Sequence, residues 1–144
     1  MPTIAIDAHS GETGPTPAVR AAAHISNTTS IDVLIVGEAN PIEAALGRCS
    51  YNPERLRIRG IDRDADSLEE TVNRVASGEA DAMVTASEFQ QTHRICQQLL
   101  NKVDGLSRPP MAAAPGPRDP NNSRRTIPSR IAPVMTRLSI PVSP

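Results

Sequence analysis

Aromatic residues are nearly absent from this chain: Tyr51 and Phe89 stand alone, and there is no tryptophan. A core must therefore be assembled from Ala, Val, Ile and Leu. Cysteine is scarce too. Cys49 and Cys96 share no C-x-x-C spacing, which implies neither a disulfide framework nor a zinc site, and both read as buried free thiols. His9, His24 and His93 form no metal-ligand spacing, so no metal is expected. Lys102 is the single lysine, which removes a P-loop, and no G-x-G-x-x-G follows the first strand, which weakens a nucleotide-binding reading. The N-terminus has no basic stretch leading into an apolar one, and no run approaches the ~18 apolar residues of a membrane span. A cytoplasmic protein without a transmembrane segment is the expectation.

The formal charge of −1 conceals an asymmetry. Residues 1–114 carry 10 basic and 15 acidic side chains, whereas 115–144 carry five arginines against Asp119 alone. The latter stretch also holds seven prolines, and its few aliphatics show no period. It reads as a Pro/Arg-rich disordered tail behind one α/β domain spanning 1–114. Five arginines make a thin case for nucleic acid, and none is expected as a partner.

Hydrophobic patterning supplies the elements. Ile31-Asp32-Val33-Leu34-Ile35-Val36, stopped by Gly37, is a β-branched run with the near-continuous hydrophobicity of a strand covered on both faces. Arg55-Leu56-Arg57-Ile58-Arg59 alternates as a half-exposed strand does, its arginines forming a solvated face. Ala80 to Thr85 and Pro110 to Ala114 are shorter strands. Helices are expected from Pro15 to Ile25, from Pro41 to Leu46, after the capping-box pattern Ser67-Leu68-Glu69-Glu70, and from Phe89 past Leu100. Strand and helix alternate throughout, which calls for a three-layer, Rossmann-like, mostly parallel α/β sheet with helices on its faces.

The opening stretch carries the chemistry. Thr3 to Ile6 reads as a strand ending at Asp7. A loop with Gly11 and Gly14 follows, and Pro15 and Pro17 mark the start of a helix. Glycines let backbone N–H groups approach a phosphate, and a helix N-terminus adds a favourable dipole. The same pattern also serves a plain structural turn.

With that order of elements, the chain resembles the bacterial phosphate acyltransferases of phospholipid synthesis. Ile4-Ala5-Ile6-Asp7-Ala8-His9-Ser10-Gly11-Glu12-Thr13-Gly14-Pro15 is similar to their opening, where the strand leads into Asp-Ala-Met-Gly-Gly-Asp-x-Gly-Pro. Leu34-Ile35-Val36-Gly37, Arg55-Leu56, Gly78-Glu79-Ala80-Asp81-Ala82, Val84-Thr85-Ala86 and Gly105-Leu106-Ser107-Arg108-Pro109 follow in the family's order. The resemblance spans roughly residues 2–114, the N-terminal half of that family. It implies transfer of a fatty acyl group from acyl carrier protein to inorganic phosphate, giving acyl phosphate, with no cofactor and with room for a homodimer. It places Asp7, Gly11, Gly14, Thr85 and Ala86 in the phosphate or substrate site and names no catalytic residue. Ser10 stands where the family has glycine, Glu12 where it has aspartate, and Ser87-Glu88 where it has glycine and asparagine. Family chains are also far longer. The expectation is therefore a shortened, diverged homologue whose alternative role is that of a non-catalytic interaction module.

Overall fold

Val33, Leu34, Ile35 and Val36 are all buried, each exposing 3% of its surface or less, so the most apolar run of the chain lies at the centre of the fold. In the computed structural model, which describes residues 1–9, 13–100, 111–114 and 132–136, this run belongs to the second strand. The elements in order are β1 (Thr3–Asp7), α1 (Thr16–Thr28), β2 (Asp32–Gly37), α2 (Ala39–Leu46), β3 (Leu56–Gly60), α3 (Ser67–Ala76), β4 (Ala82–Val84), α4 (Phe89–Leu99), β5 (Met111–Ala114) and β6 (Ala132–Thr136).

The sheet order is β3-β2-β1-β4-β6-β5. The strands β1 to β4 all run parallel: Ile4 pairs with Val33 on one side and Ala82 on the other, and Val33 with Leu56. Period-two alternation then divides β1 between two helical layers. Ile4, Ile6 and Ala8 join Val33 and Ile35 in packing on Val19, Ala22 and Ala23 of α1 and on Ile42, Ala45 and Leu46 of α2. Ala5 faces the other way, with Met83, against Leu68, Val72 and Val75 of α3 and Ile95 and Cys96 of α4. Each fully buried Val or Ile contributes roughly 1.5–3 kcal/mol, so two aliphatic layers compensate for the missing aromatics. The α/β, three-layer, mostly parallel architecture is as the sequence implies.

Helix α1 runs on to Thr28 and α4 stops at Leu99 rather than past Leu100, and two further differences from the sequence expectation bear on the site and the sheet. The capping pattern placed Ser67 at the cap of α3, but the helix begins at Ser67 and Asp66 caps it, accepting from the N–H groups of Leu68 and Glu69 at 3.0 and 3.1 Å. Ser67 has a stronger acceptor elsewhere, and Glu70, freed from the cap, pairs with Arg59 and Arg74 at 3.2 and 3.1 Å. The second difference lies within the segment expected to lack regular structure. Residues 132–136 form β6, which runs antiparallel to both β4 and β5 and sits between them. Strand β5 thus keeps the direction of the parallel set without touching it. Pro133 cannot donate to a ladder, and the pairing of β6 with β4 starts one residue later, at Val134 opposite Val84.

The chain runs outward from β1 to β2 and β3, then returns across β1 to β4. The carboxyl ends of β1 and β4 therefore meet at the point where strand order reverses. Open α/β sheets bind ligands in the crevice at that point.

Candidate functional site

Asp7 is the last residue of β1 and faces the α3/α4 side, only 3% exposed. A carboxylate so placed is costly unless its oxygens are satisfied. Here the donors come from three parts of the chain. One oxygen, Oδ1, accepts from the Ser67 hydroxyl at the start of α3 and from the His9 N–H at 3.1 Å. The other, Oδ2, accepts from the Thr85 hydroxyl at 2.8 Å and from the Ser87 hydroxyl at 3.4 Å. Thr85 Oγ1 in turn accepts from the Ser87 N–H at 3.0 Å, which shapes the turn between β4 and α4. A carboxylate is an acceptor only, and these donors satisfy both of its oxygens. Asp7 thus ties the ends of β1 and β4 to the start of α3.

Around this hub the structure arranges the predicted site residues unequally. Asp7 and Thr85 are in contact and buried, and Ala86 lies beside them, exposed. Gly14 is elsewhere. Its φ of +73°, in the left-handed region, suits glycine, and it lines a separate cleft toward β2. Gly11 lies outside the described residues. Sequence reasoning missed Ser67 and Ser87 as partners of Asp7. The signal for Ser67 was present in the capping-box pattern but pointed to a different acceptor.

Helix α4 starts at this turn, with Glu88 as its cap residue and no side-chain cap bond. Its first N–H groups are available to an anion, while the Glu88 carboxylate stands at the same end. Deeper along α4, Thr92 and Cys96 are fully buried and Ile95 nearly so, while His93 is half-buried. Burial pushes the Cys96 thiol up to about 12, so it stays protonated and unreactive, as expected of a core thiol.

The second feature is a cleft of about 400 Å³ between the β1–α1 and β2–α2 connections, lined by Ala8, His9, Gly14, Pro15, Glu38, Pro41 and Ile42. Among the described residues no group of three or more His, Cys, Asp or Glu side chains could hold a metal, and no helix is long and apolar enough to cross a membrane.

No family model matches the chain. Individual relatives do. It is 30% identical over 130 residues to a phosphate acyltransferase of Pseudomonas savastanoi pv. phaseolicola, covering 78% of this chain and 38% of that protein. It is 26% identical over 129 residues to one from Oleidesulfovibrio alaskensis and to one from Vibrio atlanticus, again over 78% of this chain. The chain spans somewhat over a third of the length of the curated relatives it matches, consistent with the N-terminal part implied by the order of its motifs. Along more than three quarters of its length, this chain is a diverged relative of the phosphate acyltransferases.

Proposed function

We propose that this chain forms the phosphate-handling part of an acyltransferase that moves a fatty acyl group from acyl carrier protein to inorganic phosphate. The observation that carries the reading is the Asp7 hub at the carboxyl ends of β1 and β4, which holds the Thr85-Ala86-Ser87 turn that leads into α4. In that reaction a phosphate oxygen attacks the thioester carbonyl. The C–S bond then breaks, and the proton of hydrogen phosphate ends on the departing thiol. The chain's part is to hold phosphate through N–H groups of the turn and of α4, with Asp7 as a positioning group rather than a ligand. A saturated, buried carboxylate would repel phosphate if it met it directly. Thr85 and Ala86 stay in the proposed phosphate site, and Gly11 and Gly14 belong to the neighbouring substrate-binding loop.

A second reading rests on Glu88. A carboxylate at the α4 N-terminus competes for the dipole a phosphate would use, as it would in a non-catalytic interaction module. Two measurements separate the readings. Phosphate titration followed by backbone amide NMR should shift residues 85–90 under the first reading. An assay for phosphate-dependent loss of acyl-[acyl carrier protein] then distinguishes binding from turnover. Phosphate binding at this turn supports the first reading whether or not acyl phosphate forms, and no binding at all refutes it in favour of the module.

A further inference from the structure

Strand β3 closes one end of the sheet, two strands away from β1 and the Asp7 hub, and among the described residues no strand pairs with its outer edge. We propose that this edge docks an extended acidic segment of another protein, which joins the sheet as a strand beside β3. The inference is independent of the acyl-transfer reading.

The backbone carries the first part of the argument. The Arg55 carbonyl accepts from the Val33 N–H at 2.7 Å, and the Ile61 N–H donates to the Gly37 carbonyl at 3.0 Å. Between them the parallel register runs unbroken from Val33 opposite Leu56 to Gly37 opposite Gly60. Odd-numbered residues of this strand therefore turn their backbone groups to β2, and Ile58 and Gly60 turn theirs outward. The Leu56 N–H is taken by the Asn52 carbonyl at 3.1 Å, so the outward row begins at the Leu56 carbonyl. Such a row is a template for another strand. Protected edges carry a proline or a bulge, and the five residues of β3 have neither.

Side chains select the occupant. Leu56 and Ile58 face the α1/α2 core, which leaves Arg57 and Arg59 on the opposite face. Helix α3 packs over β1, β2 and β4 and reaches β3 through the ion pair of Glu70 with Arg59 at 3.2 Å. Arg57 is exposed and has no partner among the described residues, and Arg55 donates to the uncharged Thr29 carbonyl at 2.8 Å. Glu54 and Asp62 flank the strand, but among the described residues neither forms an ion pair with these arginines. Two positive charges thus stand beside the open edge without a counter-ion. A second copy of the chain fits poorly. Antiparallel pairing about Ile58 would set Arg57 opposite Arg59 of the copy, and like charges directly opposite are destabilising. A strand with carboxylates at alternate positions meets the same arginines with opposite charge, while its other face covers the half-buried Ile58.

The test titrates the full 144-residue chain with three capped peptides while following backbone amides by NMR. In the first, threonine alternates with glutamate over about eight residues, the length of a typical strand. The second has glutamine for glutamate, and the third is the first with every backbone nitrogen methylated. The glutamate peptide should shift residues 55–61 and leave 85–90 unmoved. The glutamine peptide should bind about tenfold more weakly at low salt, as should the glutamate peptide to Arg57→Glu. The methylated peptide keeps its charge but has no N–H for the outward carbonyls, and should not bind. An otherwise unchanged amide spectrum establishes that the Arg57 variant is folded. Equal binding of the glutamate peptide and either of the others, or an unaffected Arg57→Glu, would overturn the proposal. So would the absence of any shift at millimolar peptide, which would make the arginines guards of the edge. Shifts at 55–61 that grow with protein concentration alone would give the edge to a second copy instead. Phosphate shifts at residues 85–90 report on the acyl-transfer reading alone, so either can fail while the other stands.

Discussion

The two faces of the sheet treat polar groups at the strand ends in opposite ways. On the α3/α4 face, Asp7, Ser67, Thr85 and Ser87 bond to one another and are sealed or nearly so. On the α1/α2 face, His9 and Glu38 stand at the rim of an open cleft over an apolar floor. The faces part at the end of β1, where neighbouring residues point to opposite sides: Asp7 goes to the first face and Ala8 to the second. A polar residue at the end of a parallel strand can therefore act as a brace or as a contact. Whether the facing helix brings donors decides which.

The largest effect should come from breaking the brace. Asp7→Ala leaves three hydroxyls and an N–H without their common acceptor and should lower stability by roughly 3 kcal/mol, read from urea unfolding. Asp7→Asn should cost less, since one acceptor oxygen survives. A loss for Asp7→Ala no greater than that for Glu38→Ala would erase the contrast between the faces.

Next in size is a pH effect on the sealed face. The folded Cys96 thiol titrates near 12 because burial disfavours the thiolate, whereas an unfolded thiol titrates near ~8.5. Above about pH 8.5 the unfolded chain loses this proton and the folded chain keeps it, so stability should fall with rising pH, by up to ~1.4 kcal/mol per unit. Below that pH the term is constant. Subtracting the alkaline stability profile of Cys96→Ala isolates the slope, and identical profiles would mean that the thiol is reached by water.

A smaller change is expected where the sealed face meets solvent. Glu88→Asn removes a negative charge from the α4 N-terminus and should tighten phosphate binding about tenfold, most visibly at low salt. Equal affinities in the amide titration would reduce the turn to a structural role. Smallest of all, Glu70→Gln breaks the ion pairs to Arg59 and Arg74, which are partly exposed. Its cost should stay near ~0.5 kcal/mol in the same urea experiment.

Much of the fold was legible because its signals are local. The β-branched run through Val33 and Val36 and the stripe of Leu68, Val72 and Val75 specify a strand and a helix whatever they pack on. The site was legible in part. Asp7 and Thr85 stand out through their place after apolar runs, but nothing in the sequence links Asp7 to Ser67, 60 residues away. Ser67 was read as a cap because serine followed by glutamate three residues later is a cap pattern, and Asp66 met that need first. β6 escaped because Ala132-Pro133-Val134-Met135-Thr136 is too short and proline-marked to stand out without its partners.

The sequence by itself determined the alternation of elements, the aliphatic core and the strand–loop–helix opening, since hydrophobic period and turn residues act over a few positions. Only the tertiary structure decided that Asp7 is a brace, that Gly14 and Thr85 belong to different places, and that Glu38 faces a cleft. Those outcomes follow from the order β3-β2-β1-β4. Parallel pairing joins residues distant in sequence, and period-two alternation then sends neighbours such as Asp7 and Ala8 into different environments.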